Sequence, residues 1–184
     1  SAVGSVLVLV GIAAVLAESQ TLTLSEIRLE ATNSPILLAA GALFIIGFGV
    51  KIAIVPMHTW LPDAHAQAPS GISAMLSGIV IEIGLLALLR TLLALTGVTD
   101  SWCYLLMGFG ALNMIYGNLM ALHQTQVKRL LAYSSLSHIG YILLGLGIAF
   151  YSHQGVGASG AFLHVLNHGA MKGLAFLAAG TLFY

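Results

Sequence analysis

The sequence predicts an all-α bundle that crosses a membrane several times, and three observations carry that reading. Hydrophobic residues make up 59% of its 184 positions and charged residues 7%, against about 25% charged in an average soluble domain. Mean hydropathy is +1.00, with the apolar residues gathered into long runs between short polar stretches, as in spanning helices. The third observation is the placement of Lys51, Glu82, His164, His168 and Lys172 within or at the end of those runs. An ionisable group at membrane depth has to face other helices or a hydrated path.

Composition also excludes several functions. Six basic and six acidic residues cancel, which leaves no electrostatic footprint for nucleic acid. A single cysteine, Cys103, rules out an internal disulfide and a multi-thiolate cluster, so Fe–S chemistry would sit on another subunit. Cys103 itself reads as a small residue near the membrane interface. The chain starts at Ser1 without Met and stops at Tyr184 inside an apolar run, and it reads as an excerpt of a longer protein. Residues 1–17 lack a basic n-region, so no signal peptide is expected there.

Taken as one transmembrane unit over 1–184, the chain divides into spans at about 2–17, 36–66, 71–95, 102–122, 127–151 and 156–184. Residues 18–34 are polar, and the Thr21-Leu22-Thr23-Leu24 alternation followed by Ser25-Glu26 predicts a brief strand and a capped surface turn outside the membrane. The second span opens at Pro35. If helical throughout, its roughly 31 residues would measure about 46 Å, more than a bilayer core of about 30 Å. Pro56 lacks an N–H and clashes with the preceding turn, so a break is expected between Lys51 and Pro56. Backbone groups freed at membrane depth persist only where they line a hydrated or protein-filled cavity.

Glu82 falls near the middle of the third span, where a carboxylate costs about 2.5 to 3.5 kcal/mol and requires a partner. Trp102 marks the start of the fourth span as an interfacial aromatic. Gly108, Gly110, Ala111 and Gly117 then permit close helix approach, and this span reads as structural. Lys128-Arg129 open the fifth span opposite Glu18, Glu26, Glu30 and Asp100, which places their loop on the cytoplasmic side. Both cations, and Arg90, are read as surface anchors. Ser134, His138 and Tyr141 recur at helical spacing as a polar stripe.

In the last span His164, His168 and Lys172 stand four residues apart and form a second stripe with about 6 Å of rise between groups. Imidazoles change charge near neutral pH, and a row of them ending in an amine can pass protons through bridging water. The i, i+4 histidine pair is also metal-competent spacing, but the glutamate of HExxH is absent, so no metal site is assigned. Structural hydrogen bonding between helices is the other reading of the stripe. His138 is read equally as a relay member and as a satisfied core residue. Lys51 is either a snorkelling side chain or a pathway group.

The run KIAIVPMHTWLPDAHAQAP, then SGIVIEIGLLALLR, VKRLLAYSSLSHIGYILLGLG and FLHVLNHGAMKGLAFLAAG, resembles the antiporter-like membrane subunits of respiratory complex I, of membrane-bound hydrogenases and of multi-subunit cation/proton antiporters. The resemblance implies a two-fold inverted-repeat fold and a proton-translocating subunit with no redox centre or bound cofactor of its own. Flavin, Fe–S clusters or nickel would belong to partner subunits, and relay groups would also stand on spans outside this chain. It places Lys51 at the helix break and implies a relay through Lys51, Glu82, His164, His168 and Lys172, with His138 as a further member. His58, Asp63 and His65 fall in the family's loop after the break and are read as capping groups near water.

Other membrane subunits and the lipid bilayer are the implied partners, in a bacterial or archaeal cytoplasmic membrane or an organellar inner membrane. Many members have lysine where this chain has Glu82. A carboxylate can serve as a titratable relay group or as a fixed counter-ion, and it suits Na⁺ better than an amine does. The ion is therefore H⁺ or Na⁺. A redox-independent cation/proton antiporter and a non-pumping scaffold are the alternatives to a redox-driven pump.

Overall fold

The computed structural model describes residues 2–30, 34–95, 99–152 and 155–182, all of whose regular elements are helical. In chain order these are α1 (Ala2–Ser19), α2 (Leu24–Glu30), α3 (Pro35–Lys51), α4 (Trp60–Gln67), α5 (Ser70–Ala94), α6 (Thr99–Leu122), α7 (Val127–Ser152) and α8 (Gly155–Thr181). The all-helical bundle read from the sequence is the observed fold. Helix α1, α5, α6 from Trp102, and α7 are each long and apolar enough to cross a membrane. Helix α3 is apolar but shorter. Helix α8 is long enough at 27 residues, but His164, Asn167, His168 and Lys172 interrupt its apolar surface and it falls outside that group.

The break after Lys51 is present, and its chemistry is local. Ser34 Oγ accepts from Ile36 N at 3.2 Å with Pro35 in the first turn, so α3 starts from a defined cap. At the other end Ile54 N–H reaches back to Gly49 O at 2.8 Å, one residue beyond the α-helical partner. Val50 O, left free by that shift, accepts from the Trp60 indole at 2.7 Å. Ala53 is left-handed, with φ of 59°, a conformation that costs an L-residue roughly 1 kcal/mol. The Val55–Pro56 peptide is cis. After this turn α4 resumes at Trp60.

Helix α5 carries a second irregularity that the sequence did not announce. Leu76–Val80 form a π-turn, in which Ile81 N–H bonds Leu76 O five residues back. Around these two features the packing is close: α1 lies on α3, α6 on α7, and α8 on α7 and the first half of α5. At the α6–α7 crossing a Cβ on Gly110 would stand 2.8 Å from Gly140 O, and one on Gly140 2.6 Å from Gly110 O. Only glycine permits that approach.

One expectation of the local structure needs correction. No strand forms at Thr21–Leu24: residues 21–23 are irregular and Leu24 already opens helix α2, with Thr21 Oγ1 donating to Glu26 and accepting from Thr23 N–H and Ile27 drawn into the core. Trp102 stands at the start of the apolar span Trp102–Leu122 and is buried, its ring closing over Gly41. The side chains of Glu30 and Asp100, and residues 183–184 of the last predicted span, lie outside the described residues.

Candidate functional site

The site is built where α5 and α8 cross. A Cβ on Gly78 would meet Gly169 O at 3.0 Å, and one on Gly169 would meet Gly78 O and Glu82 Oε2 at 2.9 Å each. Glycine on both helices thus opens the space that the Glu82 carboxylate fills. The π-turn stands immediately before Glu82, and the carboxylate reaches across the crossing to His168. His168 Nδ1 donates to Glu82 Oε1 at 3.1 Å, with the two side chains 0% and 15% exposed. The partner that a mid-span carboxylate demands is therefore a histidine 86 residues away in sequence. Neither Lys51 nor Lys172 forms an ion pair with Glu82.

From His168 the polar groups continue. The His138 ring on α7 lies 5.5 Å from that of His168 and 5.2 Å from that of His164. His138 Nδ1 and His164 Nε2 share a hydrogen bond at 3.1 Å, one ring donating and the other accepting. Tyr141 stands edge-on to His164. A cavity of about 580 Å³, lined by His138, Tyr141, Gly145 and His164, opens beside this pair. His168 Nε2 is buried with no hydrogen-bond partner among the described residues, so its second nitrogen is available to a bridging water or a rearranged side chain.

One turn beyond His168, Lys172 is 2% exposed, and its Nζ donates to Leu131 O at 3.2 Å. The same carbonyl accepts from Ser135 Oγ at 3.0 Å, and Ser135 shares a 2.8 Å hydrogen bond with Ser77 Oγ on the π-turn. The amine is thus held by α7, while α7 is tied by its hydroxyl to α5.

The structure brings Glu82, His138, His164, His168 and Lys172 together but not Lys51. The Lys51 side chain is exposed on the surface of this chain, against the expectation that it points into the bundle, and only its Cβ approaches Gly84 on α5. His58 and His65 are buried rather than near water. His58 stands edge-on to Tyr116 at 4.7 Å, and His65 stacks on Phe176 at 4.5 Å with neither ring nitrogen hydrogen-bonded. Asp63 is exposed and pairs with Arg129 at 2.5 Å, while Lys128 Nζ donates to Ala68 O at 3.0 Å. Those two cations clamp α7 onto α4 instead of merely anchoring a span. Arg90 is exposed, as expected of an interfacial residue.

Sequence reasoning passed over Ser77, Ser135 and Asn113. Serine is ordinary in apolar helices, and an isolated Asn has no periodic partner that would single it out. Asn113 nevertheless is fully buried, and its Oδ1 accepts from Val55 N–H at 2.7 Å.

Known proteins resemble this chain in sequence and in the arrangement of its helices. Hydrogenase-4 component B of Escherichia coli (strain K12) is 39% identical over 189 residues, covering 97% of this chain and 28% of that protein. NAD(P)H-quinone oxidoreductase chain 4-3 of Nostoc sp. is 40% identical over 190 residues, covering 100% and 32%. A chain in the structure of respiratory complex I from Thermus thermophilus superposes with a TM-score of 0.85 at 28% identity, over 98% of this chain and 38% of that one. The chain thus spans about a third of the length of these relatives. With the family model for the transmembrane part of NADH:quinone oxidoreductases and Mrp antiporters matching residues 1–184, the chain belongs to that family of antiporter-like integral membrane proteins.

Proposed function

We propose that this chain forms part of a proton-translocating subunit of a redox-driven pump, of the kind represented by the quinone oxidoreductases and hydrogenases that it resembles. Protons are relayed between Lys172, His168, Glu82, His138 and His164, and Lys51 supplies a group on the side facing the rest of the protein. The observation that carries the reading is the Glu82–His168 pair at 3.1 Å, next to a second histidine pair at the same distance. An isolated pair would serve as a static tie. Two hydrogen-bonded pairs of ionisable side chains, joined through the His138 ring 5.2 and 5.5 Å from those of His164 and His168, offer a route.

Electron transfer is assigned to partner subunits that carry flavin, Fe–S clusters or nickel, and this chain contributes charge rearrangement only. A redox-independent antiporter is the second reading, favoured by the carboxylate at position 82, whose oxygens suit Na⁺ as well as H⁺. Subunits that co-purify separate the two: redox proteins accompany a pump and not an antiporter.

Glu82→Gln keeps shape and hydrogen bonding while abolishing titration. In the assembled complex reconstituted into vesicles, ion translocation is expected to fall about tenfold or more. Undiminished translocation by the Gln variant would remove Glu82 from the path. Translocation that survives loss of both Glu82 and Lys51 would leave the chain as scaffold.

A further inference from the structure

We infer that Asn113 is a positioning residue that fixes the helix break after Lys51 and holds it in register with the helix that carries His138. The inference rests on the ion-translocation reading. Asn113 is 0% exposed in the middle of α6, where an amide without partners would be unfavourable and an apolar side chain would be the ordinary occupant. Its partners are on the two elements that flank it. Oδ1 accepts from Val55 N–H at 2.7 Å, and Nδ2 faces Ala53 O and Leu136 O, both at 3.5 Å, the long end of a hydrogen bond. The orientation of the amide is dictated by its strongest contact, because an N–H requires the oxygen.

The two contacts on the break lie on either side of Ile54, directly after the left-handed Ala53. Ala53 O precedes Ile54 and Val55 N–H follows it, so one side-chain amide takes the place of hydrogen bonds that the interrupted helix can no longer make. The third contact joins this clip to α7 at Leu136, between Ser135, which bonds Ser77 and the Leu131 carbonyl beside Lys172, and Ser137, one residue from His138. A displacement of the break is thereby passed to the helix that organises the histidine cluster. Among the described residues Lys51 and that cluster do not touch, and the Asn113 side chain spans the gap between their supports.

Two variants test this in the assembled complex, reconstituted into vesicles and compared with its parent. Asn113→Leu fills the volume and removes every hydrogen bond, and translocation is expected to drop about tenfold or more with assembly retained. Asn113→Asp supplies an acceptor and a donor when protonated but acceptors alone when ionised. Its translocation should match the parent at low pH and fall away with rising pH. His58, Lys51, Tyr116 and Tyr133 around the break are common to both proteins, so a difference between the profiles belongs to position 113. Parental rates in the Leu variant, or superimposable profiles in the Asp variant, overturn the inference. Failure of both variants to assemble also overturns it, by making Asn113 a folding residue. A parent that moves no ions instead overturns the translocation reading.

Discussion

Arg129 and Asp63 make a short ion pair, yet 40% and 70% of their side chains remain exposed, and solvent screening limits such a pair to roughly 1 kcal/mol or less. Arg129→Ala is therefore expected to lower the stability of the purified protein by no more than about 1 kcal/mol, read as a small shift in thermal unfolding. A larger loss would mean that the clamp of α7 on α4 depends on charge more than its exposure implies. Glu82 and His168 differ in kind, since burial makes each dependent on the other. That each would need a partner was legible, because an acid or an imidazole within an apolar run is costly wherever it falls. Their pairing was not, since nothing in a sequence encodes which residue 86 positions away will face a carboxylate.

Helix by helix, the predictable features are those that follow from covalent chemistry. Pro35 starts α3 and Pro56 ends its continuation, because a missing N–H and a fixed φ act on the backbone whatever the surroundings. The π-turn was invisible, since its hydrogen-bond shift depends on how α5 packs and not on a characteristic residue. Helix α2 was misread for a related reason: four residues of alternation cannot outweigh the tertiary contact that pulls Ile27 inward. The Gly78–Gly169 crossing gives this scale its prediction. A side chain on Gly169 would press on the Gly78 backbone and on both carboxylate oxygens of Glu82, which would lie 2.9 and 3.2 Å from its Cβ. Gly169→Val is expected to separate α5 from α8, break the Glu82–His168 contact and abolish most ion translocation in vesicles. Unchanged translocation would show that the crossing is not required for the relay.

At the scale of the whole molecule, the unmet expectation is Lys51, an exposed cation at the end of an apolar helix. An amine in contact with hydrocarbon costs about 2.5 to 3.5 kcal/mol, so in the intact protein this face is expected to be covered by another segment or subunit. Lys51→Cys tests this. In the assembled complex a membrane-impermeant maleimide should leave position 51 unmodified, with the buried Cys103 likewise silent. Rapid modification would put Lys51 on an open aqueous surface. The π-turn has a consequence at this scale as well. Each residue of an α-helix advances the next side chain by about 100°, so the one extra residue held in Leu76–Val80 sets the azimuth of everything after it on α5. Deleting a single residue there would remove the extra residue and leave the later side chains in phase, whereas the same residues closed into regular α-helix, with length and apolarity almost unaltered, would swing every later side chain by about 100°, more than a quarter turn. Glu82 would then face lipid or a neighbouring helix instead of His168, and a chain that still folds and inserts would have lost that contact through phase alone.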